Sequence, residues 1–364
     1  MRIQAALTES PAGSFAIRDV DLQAPRADEI LVRITAAGLC HTDLSARAAW
    51  PEQLTPMVFG HEGTGVVETV GDEVTGLTPG DTVSLSFHSC GVCEPCTTGH
   101  PAYCTAFQLL NSSGGRADGT TPLSREGAPV FGGFFGQSSF ATYAIAHERN
   151  AVRIPADLPA AVAAPLGCGV QTGAGAVLNV LRPAEGSSLV VVGAGGVGLS
   201  ALMAAVAADC TPVIAVDPVA SRRALAEELG AKATLDPTAT EDIAAAIRDL
   251  TGGGAHHVVD TTGRPEMINQ AVAALRPRGS LALVGMGTQV PLDIMPLLLK
   301  GISVHGVIEG DSDPAEFIPR LIELHRQGRL PVERLVTEFP FADIEAAATA
   351  MREGRAVKPV LTFG

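Results

Sequence analysis

Residues 189–204 of this chain of 364 residues are LVVVGAGGVGLSALMA. An apolar, β-branched run is followed by glycines at positions 193, 195, 196 and 198, and then by an alanine-rich helical pattern. A strand that ends in a glycine-rich turn and leads into a helix is typical of the first unit of a dinucleotide-binding parallel sheet. The glycines let the backbone approach a pyrophosphate, and the helix N-terminus favours its negative charge.

The residues after this unit alternate between strand and helix patterns, which predicts a parallel sheet that is buried on both faces. Predicted strands cover 188–192, 213–217, 257–260 and 280–285, and predicted helices cover 197–208, 221–229, 242–250 and 267–275. Asp217 ends the second of these strands, 19 residues beyond Gly198. A carboxylate there accepts the ribose hydroxyls of NAD and repels the 2′-phosphate of NADP, and the next residue is Pro218 rather than Arg. The sequence therefore predicts NAD as the cofactor.

The first 165 or so residues have a different pattern, with short alternating or β-branched runs at 30–36, 65–70 and 82–87. They predict a β-rich, barrel-like module in which 108–136 is a loop. Beyond a strand at 303–308 the chain returns to helix, at 314–327 and 341–352, and ends in a strand at 359–363. Two domains are expected because single cores rarely grow beyond about 250–300 residues.

The net charge of −14 argues against nucleic acid and anionic membrane surfaces as partners, because like charges repel. No apolar run reaches the roughly 18 residues that a spanning helix needs, and the N-terminus has no apolar signal region. We therefore expect a cytoplasmic protein that acts on a small molecule.

Four cysteines fall within fifteen residues, in the run CGVCEPC at 90–96 and at Cys104. Four thiolates complete a tetrahedral zinc site and leave no open position, so this zinc would be structural. An iron–sulfur cluster and free thiols are the alternatives. Iron–sulfur runs usually place Pro after the last cysteine, whereas Thr105 follows here, and zinc is favoured. The four candidate ligands are Cys90, Cys93, Cys96 and Cys104.

Three further residues with metal-ligand character, Cys40, His61 and Cys168, are far apart in the sequence and lie near glycines. Each alone is more often a core residue. Together, two Cys and one His are the ligand set of an open catalytic zinc, a Lewis acid that lowers the pKa of a bound alcohol. Asp43 could anchor the imidazole, and Glu62 could be a spare ligand or an outer carboxylate.

These features together resemble the zinc-dependent alcohol dehydrogenases of the medium-chain dehydrogenase/reductase superfamily, over nearly the whole chain. The resemblance includes GHE at 60–62, the cysteine quartet, GCG at 167–169 and a C-terminal VKPVLTF. Within the family, GFFGQSSFA at 133–141 and PLGCGVQTG at 165–173 look most like aryl (benzyl) alcohol dehydrogenases. Relatives that act on allylic terpene alcohols such as geraniol share much of this pattern.

The resemblance implies an α/β fold with a GroES-like β-rich catalytic domain and a doubly wound Rossmann domain. The implied bounds are 1–166 for the catalytic domain, with the structural-zinc lobe at about 88–106, then 167–308 for the NAD-binding domain and 309–364 for the return to the catalytic domain. It also implies pairing through the last sheet strand, at 302–308, in a homodimer or homotetramer.

The resemblance places Cys40, His61 and Cys168 on catalytic zinc and makes Thr42 the hydroxyl that takes the alcohol proton. Many relatives have His three residues beyond this Thr, where this chain has Ser45. The proton would therefore leave either from the ribose to solvent or through Ser45 and water. The implied cofactor-binding residues, of which His41 and Lys358 match phosphate contacts in relatives, are His41, Gly193, Gly195, Gly196, Val197, Gly198, Asp217, Arg222 and Lys358.

The activity implied is reversible oxidation of a primary aromatic alcohol to its aldehyde with zinc and NAD. An allylic terpene alcohol is the alternative substrate. A zinc-free quinone reductase would lack the three distributed ligands, and a non-catalytic relative would be expected to lose ligands or the glycine loop. Phe87, Trp50 and Leu110 are candidate walls of the substrate pocket, although apolar side chains near a site are usually packing.

Overall fold

Two units make up the chain in the computed structural model, which describes residues 1–287 and 289–364. The first unit consists of Met1–Cys168, Asp313–Pro319 and Glu333–Gly364, and the second of Gly169–Ser312 and Arg320–Val332. The segment Arg320–Val332, which the sequence analysis assigned to the return segment, therefore lies in the second unit. The predicted fold class, a β-rich unit combined with an α/β parallel-sheet unit, is confirmed.

The strands of the described residues range in length from two to ten residues. In chain order they are β1 (Arg2–Thr8), β2 (Phe15–Leu22), β3 (Glu29–Gly38), β4 (Met57–Val58), β5 (Glu62–Val70), β6 (Thr82–Leu85), β7 (Leu123–Arg125), β8 (Ala128–Val130), β9 (Tyr143–His147), β10 (Ala151–Arg153), β11 (Leu189–Val192), β12 (Val213–Val216), β13 (Ala233–Leu235), β14 (Ala255–Asp260), β15 (Leu275–Leu283), β16 (Ser303–Gly306), β17 (Val336–Pro340) and β18 (Lys358–Thr362).

The α-helices of the described residues are short in the first half of the chain and longer in the second. They are α1 (His41–Ala49), α2 (Glu94–Thr97), α3 (Phe107–Ser112), α4 (Ala160–Ala163), α5 (Gly169–Gly175), α6 (Gly196–Ala207), α7 (Ala220–Glu228), α8 (Ile243–Leu250), α9 (Pro265–Ala274), α10 (Ile294–Lys300), α11 (Pro314–Arg326) and α12 (Ile344–Arg352). Within 1–287 and 289–364, no single helix has the length and apolar composition to cross a membrane. One bent pair, Ala160–Gly167 with Gly169–Leu181, reaches that length and apolar composition only when its two members are taken together.

Two sheets build the first unit around one hydrophobic core. Their strand orders are β4-β1-β2-β7-β8 and β10-β6-β5-β3-β18-β17, and β9 also pairs with β3. The antiparallel register of β3 and β5 places Gly38 opposite Glu62. This pairing brings the end of β3, which leads to Cys40, next to the start of β5, which follows His61.

The prediction of a loop over 108–136 is partly wrong. Residues Phe107–Ser112 form α3, and β7 and β8 form a hairpin whose turn residues Glu126 and Gly127 have φ angles of 54° and 81°. The polar, glycine-rich composition concealed both elements, because three-residue strands are too short to show periodicity. Buried Asn111 on α3 holds the backbone of His88 through both its amide oxygen and its amide nitrogen.

The second unit contains a parallel sheet with the order β13-β12-β11-β14-β15-β16. All four residues of β11 and of β12 are buried, as expected for parallel strands covered on both faces. Helix α8 begins at Asp242, whose side chain accepts a hydrogen bond from the Ala245 N–H at 2.8 Å. Strand β16 forms one edge of this sheet, and β11 ends at the glycine loop.

Candidate active site

One buried group in the first unit gathers potential metal ligands from three distant segments. Cys40 precedes α1, His61 and Glu62 lie at the start of β5, and Cys168 follows the helical turn at 164–167. Their ligand atoms all lie within 4.8 Å of one another. The structure therefore brings together the distributed residues that the sequence singled out.

Asp43 organises this group. One carboxylate oxygen accepts a hydrogen bond from the Cys40 N–H at 2.9 Å. The other accepts from the Gly60 N–H at 3.1 Å and lies 2.9 Å from Nδ1 of His61. Gly60 has a φ of 97°, and a Cβ there would lie 2.5 Å from the backbone nitrogen of Phe140, so only glycine fits.

The imidazole of His61 has the arrangement of a metal ligand. Nδ1 is held by Asp43, and buried Nε2 has no hydrogen-bond partner among the described residues. A carboxylate on one ring nitrogen fixes the tautomer that leaves the other nitrogen free to bind a metal. Two cysteine sulfurs and one such imidazole suit zinc. The donor set therefore fits the zinc that the resemblance implies.

Electrostatics in this group also suit a cation. Burial lowers the pKa of His61, but the charge of Asp43 and its hydrogen bond raise it well above its ordinary value. A hydrogen bond with Cys168, assisted by the charge of Lys358, holds the pKa of the Cys40 thiol well below its usual range. A thiol with thiolate character is the better metal ligand.

Glu62 belongs to the group but already has a cationic partner. Nζ of Lys358 lies 2.8 and 2.9 Å from its two carboxylate oxygens, and both side chains are buried. Burial raises the pKa of Glu62, whereas Lys358 lowers it. A Cβ at Gly38 would lie 2.0 Å from a Glu62 oxygen, which explains the glycine. The sequence analysis placed Lys358 at the cofactor phosphates, but the structure places its ammonium on Glu62, and no sequence pattern predicted this pair.

Helix α1 carries the predicted proton relay. Oγ1 of Thr42 is half-buried and lies 3.7 Å from Sγ of Cys40. Ser45 lies three residues further along, on the same face of the helix, and is exposed. His41, the first residue of the helix, is exposed as well.

Aromatic rings surround the imidazole of His61. The Phe135 ring centroid lies 4.6 Å from that of His61, and the Phe134 centroid lies 5.6 Å away, nearly perpendicular. Phe135 has a φ of 51°, a strained value for a bulky residue. Gln137, which the sequence analysis did not single out, donates to the His61 carbonyl at 2.9 Å and accepts from the Gly63 N–H at 2.9 Å. The neighbouring Gly-Phe-Phe-Gly run was the one sequence signal near this residue.

The three predicted pocket walls have different surroundings. Trp50 packs edge-on against Phe59 and Phe134, at centroid distances of 5.3 and 5.9 Å, and Phe87 packs near Phe107 at 5.8 Å. Trp50 and Phe87 are both buried. Leu110 lines a separate cavity, described below.

The four-cysteine lobe forms a second group in the first unit. Sγ of Cys93 lies 3.4 Å from Sγ of Cys96 and 3.9 Å from that of Cys104, and Cys90 lies 4.0 Å from Cys96. All seven cysteines of the chain are free thiols. Backbone N–H groups lower the pKa of Cys93 to about 6, which favours its thiolate. The lobe has the four soft donors of a closed zinc site.

The glycine loop lies in the second unit, between β11 and α6. Gly193 has a φ of 93°, and a Cβ at Gly198 would lie 1.8 Å from the Gly193 carbonyl oxygen. Gly195 precedes α6, and Gly196 and Val197 are its first residues. These glycines keep the helix N-terminus close to the strand end, as a pyrophosphate site requires.

Asp217 ends β12 beside this loop and is buried. Its carboxylate accepts from the N–H groups of Ala194 and Val219, each at 2.8 Å. Nη1 of Arg222 lies 3.8 Å from the same carboxylate. The structure thus places Asp217 and Arg222 together next to the loop.

Two family models match the chain, an alcohol dehydrogenase GroES-like domain over residues 26–156 and a zinc-binding dehydrogenase domain over residues 196–325. The chain belongs to the zinc-dependent alcohol dehydrogenases of the medium-chain dehydrogenase/reductase superfamily. The predicted GroES-like and Rossmann architecture is confirmed, as are zinc and NAD as the cofactors typical of this family.

Individual relatives cover essentially the whole chain. It is 48% identical to a geraniol dehydrogenase of Castellaniella defragrans, over 99% of this chain and 97% of that protein. The crystal structure of a benzyl alcohol dehydrogenase from Acinetobacter calcoaceticus matches with a TM-score of 0.96 and 42% identity, covering all of both chains. A short chain alcohol dehydrogenase from E. coli CFT073, complexed with the cofactor NADH, matches with a TM-score of 0.80 and 25% identity, covering 100% of this chain and 99% of that one.

Proposed function

We propose that this protein catalyses the zinc- and NAD-dependent, reversible oxidation of a primary aromatic alcohol, of the benzyl or cinnamyl type, to its aldehyde. The observation that carries the proposal is the turn at 133–136, whose rings Phe134 and Phe135 lie against His61 in the group of Cys40, His61 and Cys168. Flat apolar side chains beside a metal-binding imidazole favour a flat apolar substrate. The 42%-identical relative named benzyl alcohol dehydrogenase supports the same class.

The residues have separate roles in this proposal. Cys40, His61 and Cys168 would hold a zinc ion, which supplies a Lewis acid that lowers the pKa of an alcohol hydroxyl. Asp43 orients the imidazole, and the Thr42 hydroxyl takes the alcohol proton. Because Lys358 engages both oxygens of Glu62, we assign Glu62 to the surroundings of the metal rather than to its ligands. The four cysteines of the lobe would hold a structural zinc.

An aromatic ring or double bond beside the carbinol carbon favours the reaction for an electronic reason. Loss of hydride builds positive character on that carbon, and conjugation stabilises the carbonyl that forms. A site that orients the flat body therefore gains binding energy in the transition state. An allylic terpene alcohol is the second candidate, because a 48%-identical relative is named geraniol dehydrogenase.

A substrate panel with NAD tests the proposal. We would measure kcat/KM for ethanol, benzyl alcohol, cinnamyl alcohol and geraniol. Burying a ring of ~150–250 Å² contributes roughly 4–6 kcal/mol, so benzyl or cinnamyl alcohol should exceed ethanol by about three to four decades. Geraniol as clearly the best substrate would select the second candidate. Equal values for ethanol and benzyl alcohol would contradict both.

We propose that Asp217 makes NAD the preferred form of the cofactor, since its buried carboxylate would oppose a 2′-phosphate. Asp217→Ser should raise kcat/KM with NADP relative to NAD by about tenfold or more, because Arg222 then meets the phosphate without a competing charge. Asp236→Ser is the matched control: Asp236 follows the neighbouring strand β13 and pairs with Arg223. A wild-type preference for NADP would contradict the proposal.

We also propose that two copies of this chain pair through the edge strand β16. Val304 on β16 is 39% exposed, Ile308 just beyond the end of β16 is 48% exposed, and helix α10 exposes Leu298 and Leu299 at 68% and 79%. An open apolar sheet edge invites pairing, and a twofold dimer satisfies it. Sedimentation should show a dimer or tetramer for the wild type, and Leu299→Glu should weaken the association. A stable wild-type monomer at micromolar concentration would contradict the pairing.

A further inference from the structure

A cavity of about 260 Å³ lies in the first unit, outside both cysteine groups. Its walls are β9, parts of the segments at 22–29 and 110–123, His88, and the turn at 133–138. The volume is close to the lower end of the ~300–1,000 Å³ range typical of small-molecule sites. None of the described lining residues belongs to either group of candidate metal ligands.

The turn at 133–138 separates this cavity from His61. Gly133, Gly136 and Gln137 line the cavity, whereas the rings of Phe134 and Phe135 contact the imidazole of His61. The two sides of one turn thus face two different spaces. A molecule in the cavity is therefore distinct from a substrate at the metal ligands.

Four of the five charged groups of the cavity wall are paired with one another, and the fifth, Asp28, is exposed and lies 3.5 Å from Nε2 of His147. Nε and Nη2 of Arg116 bind the carboxylate of Glu29 at 2.6 and 2.7 Å. Nη1 of Arg26 binds Asp118 at 2.8 Å. Because the four paired charges cancel and the Asp28 carboxylate is open to solvent, a neutral ligand suits the buried part of the cavity better than an ion.

Two polar side chains remain available to a ligand. His88 stacks on His147 with the ring centroids 4.7 Å apart, and burial and His147 lower the pKa of His88 to about 4. His88 is therefore neutral near pH 7 and offers one donor and one acceptor. In the described parts of the chain, neither the ring nitrogens of His88 nor the Tyr143 hydroxyl form a hydrogen bond. Both residues line the cavity.

Much of the remaining wall is apolar. Strand β9 presents Tyr143, Ile145 and His147 on one face, because side chains alternate along a strand. Leu22, Leu110 and Leu123 also line the cavity. A mostly apolar body with one hydrogen-bonding oxygen matches this combination of groups.

We propose that this cavity is a second binding site, for a small neutral alcohol whose apolar body lies among Ile145 and the leucines and whose hydroxyl bonds to Tyr143 or His88. The inference goes beyond the proposed function, since it requires no turnover of the bound molecule. The site binds its ligand without zinc or NAD.

Equilibrium dialysis with 4-fluorobenzyl alcohol tests this site in the intact chain of 364 residues. One molecule per chain should remain bound in Cys168→Ala, whose metal-ligand group is broken, and should be lost in Ile145→Trp, which fills the cavity. Tyr143→Phe should weaken this binding by about two- to tenfold, the usual value of one hydrogen bond. Tyr103→Phe, at the other tyrosine of the chain, is the matched control and should leave it unchanged.

Absence of binding in Cys168→Ala would overturn the second site. Binding that is unchanged in both Ile145→Trp and Tyr143→Phe would also overturn it. If Ile145→Trp fails to fold, the milder Tyr143→Phe variant alone decides whether the ligand binds in this cavity. Oxidation of 4-fluorobenzyl alcohol by the wild type is measured separately. Turnover without cavity binding would remove this inference and leave the proposed function intact.

Discussion

The two cysteine-containing groups of the first unit are built in opposite ways. The four-cysteine lobe comes from fifteen consecutive residues, and backbone N–H groups donate to its sulfurs, as from Cys93 to Cys90 and from Ala106 to Cys104 at 3.4 Å each. The group of Cys40, His61 and Cys168 comes from three distant segments and relies on the Asp43 side chain. Local chain geometry forms the first group, whereas the tertiary fold forms the second.

Burial separates the two groups as well. Three of the four lobe cysteines are partly exposed, whereas every member of the distributed group is buried. A closed, partly exposed metal site can stabilise the fold of a segment that has no hydrophobic core of its own. A buried group with an open position can exclude water and act on a substrate. We therefore expect damage to the lobe to lower stability and damage to the buried group to lower turnover.

The largest effect should come from Cys168→Ala. Losing a ligand of the proposed catalytic zinc removes several kcal/mol of transition-state stabilisation, so kcat should fall by about 10³-fold or more. Binding of NAD should persist, because the glycine loop lies in the second unit. Zinc content, kcat with benzyl alcohol and NAD titration check this expectation. Near-normal turnover in a metal-depleted variant would contradict it.

Asp43→Asn should have the next largest effect. The amide keeps the shape but loses the charge that orients His61, and such outer partners typically change metal affinity or activity by about 10–100-fold. Zinc affinity should fall, and excess zinc should restore part of the turnover. Competition with a chelator measures the affinity. An unchanged affinity would mean that the buried group does not depend on its carboxylate.

Cys96→Ala should lower stability and leave turnover nearly unchanged, the reverse of the effect expected for Cys168→Ala. The lobe would lose binding energy that is coupled to its folding, and the Tm should fall by roughly 5–10 °C. Turnover per folded molecule should stay close to wild type, because no lobe sulfur belongs to the buried group. Calorimetry and zinc analysis check both statements. Cys210→Ala, at a buried cysteine outside both groups, is the control and should change the Tm much less.

A Cys96→Ala variant that kept wild-type stability and lost only its turnover would contradict the division of roles. The same result would make the exposed lobe part of the catalytic machinery. Because Cys210 is also a free thiol, its variant separates loss of a metal ligand from loss of any cysteine side chain.

The same contrast explains what the sequence could predict. The strand–glycine-loop–helix unit and the cysteine quartet depend on residues close together in the chain, so their spacing predicts their structure. Strands β11 and β12 were predicted to within one residue, since continuous apolar runs identify buried parallel strands. The three distributed ligands were grouped by residue type, as two Cys and one His near glycines, and the family resemblance then placed them on one zinc.

Contacts between distant residues had no local pattern. Lys358 pairs with Glu62 across 296 positions, and no periodicity predicts such a partner. Gln137 bridges His61 and Gly63 from a turn that was predicted as the end of a loop. The hairpin of β7 and β8 escaped prediction for a different reason, because three residues per strand are too few for alternation to show.

The smallest effect should come from Ser45→Ala, which tests how the buried group exchanges protons with solvent. Thr42 is half-buried beside Cys40, so its hydroxyl has no easy substitute, and general acid–base groups typically contribute about 10²–10⁴-fold. Ser45 is exposed, so a water molecule can make an equivalent hydrogen bond, and its loss should lower kcat by less than about threefold. Thr42→Ala is the matched comparison, and kcat with benzyl alcohol and NAD is the measurement. If the two variants lost turnover equally, the proton path would depend on the exposed serine, and burial would not separate essential from replaceable groups.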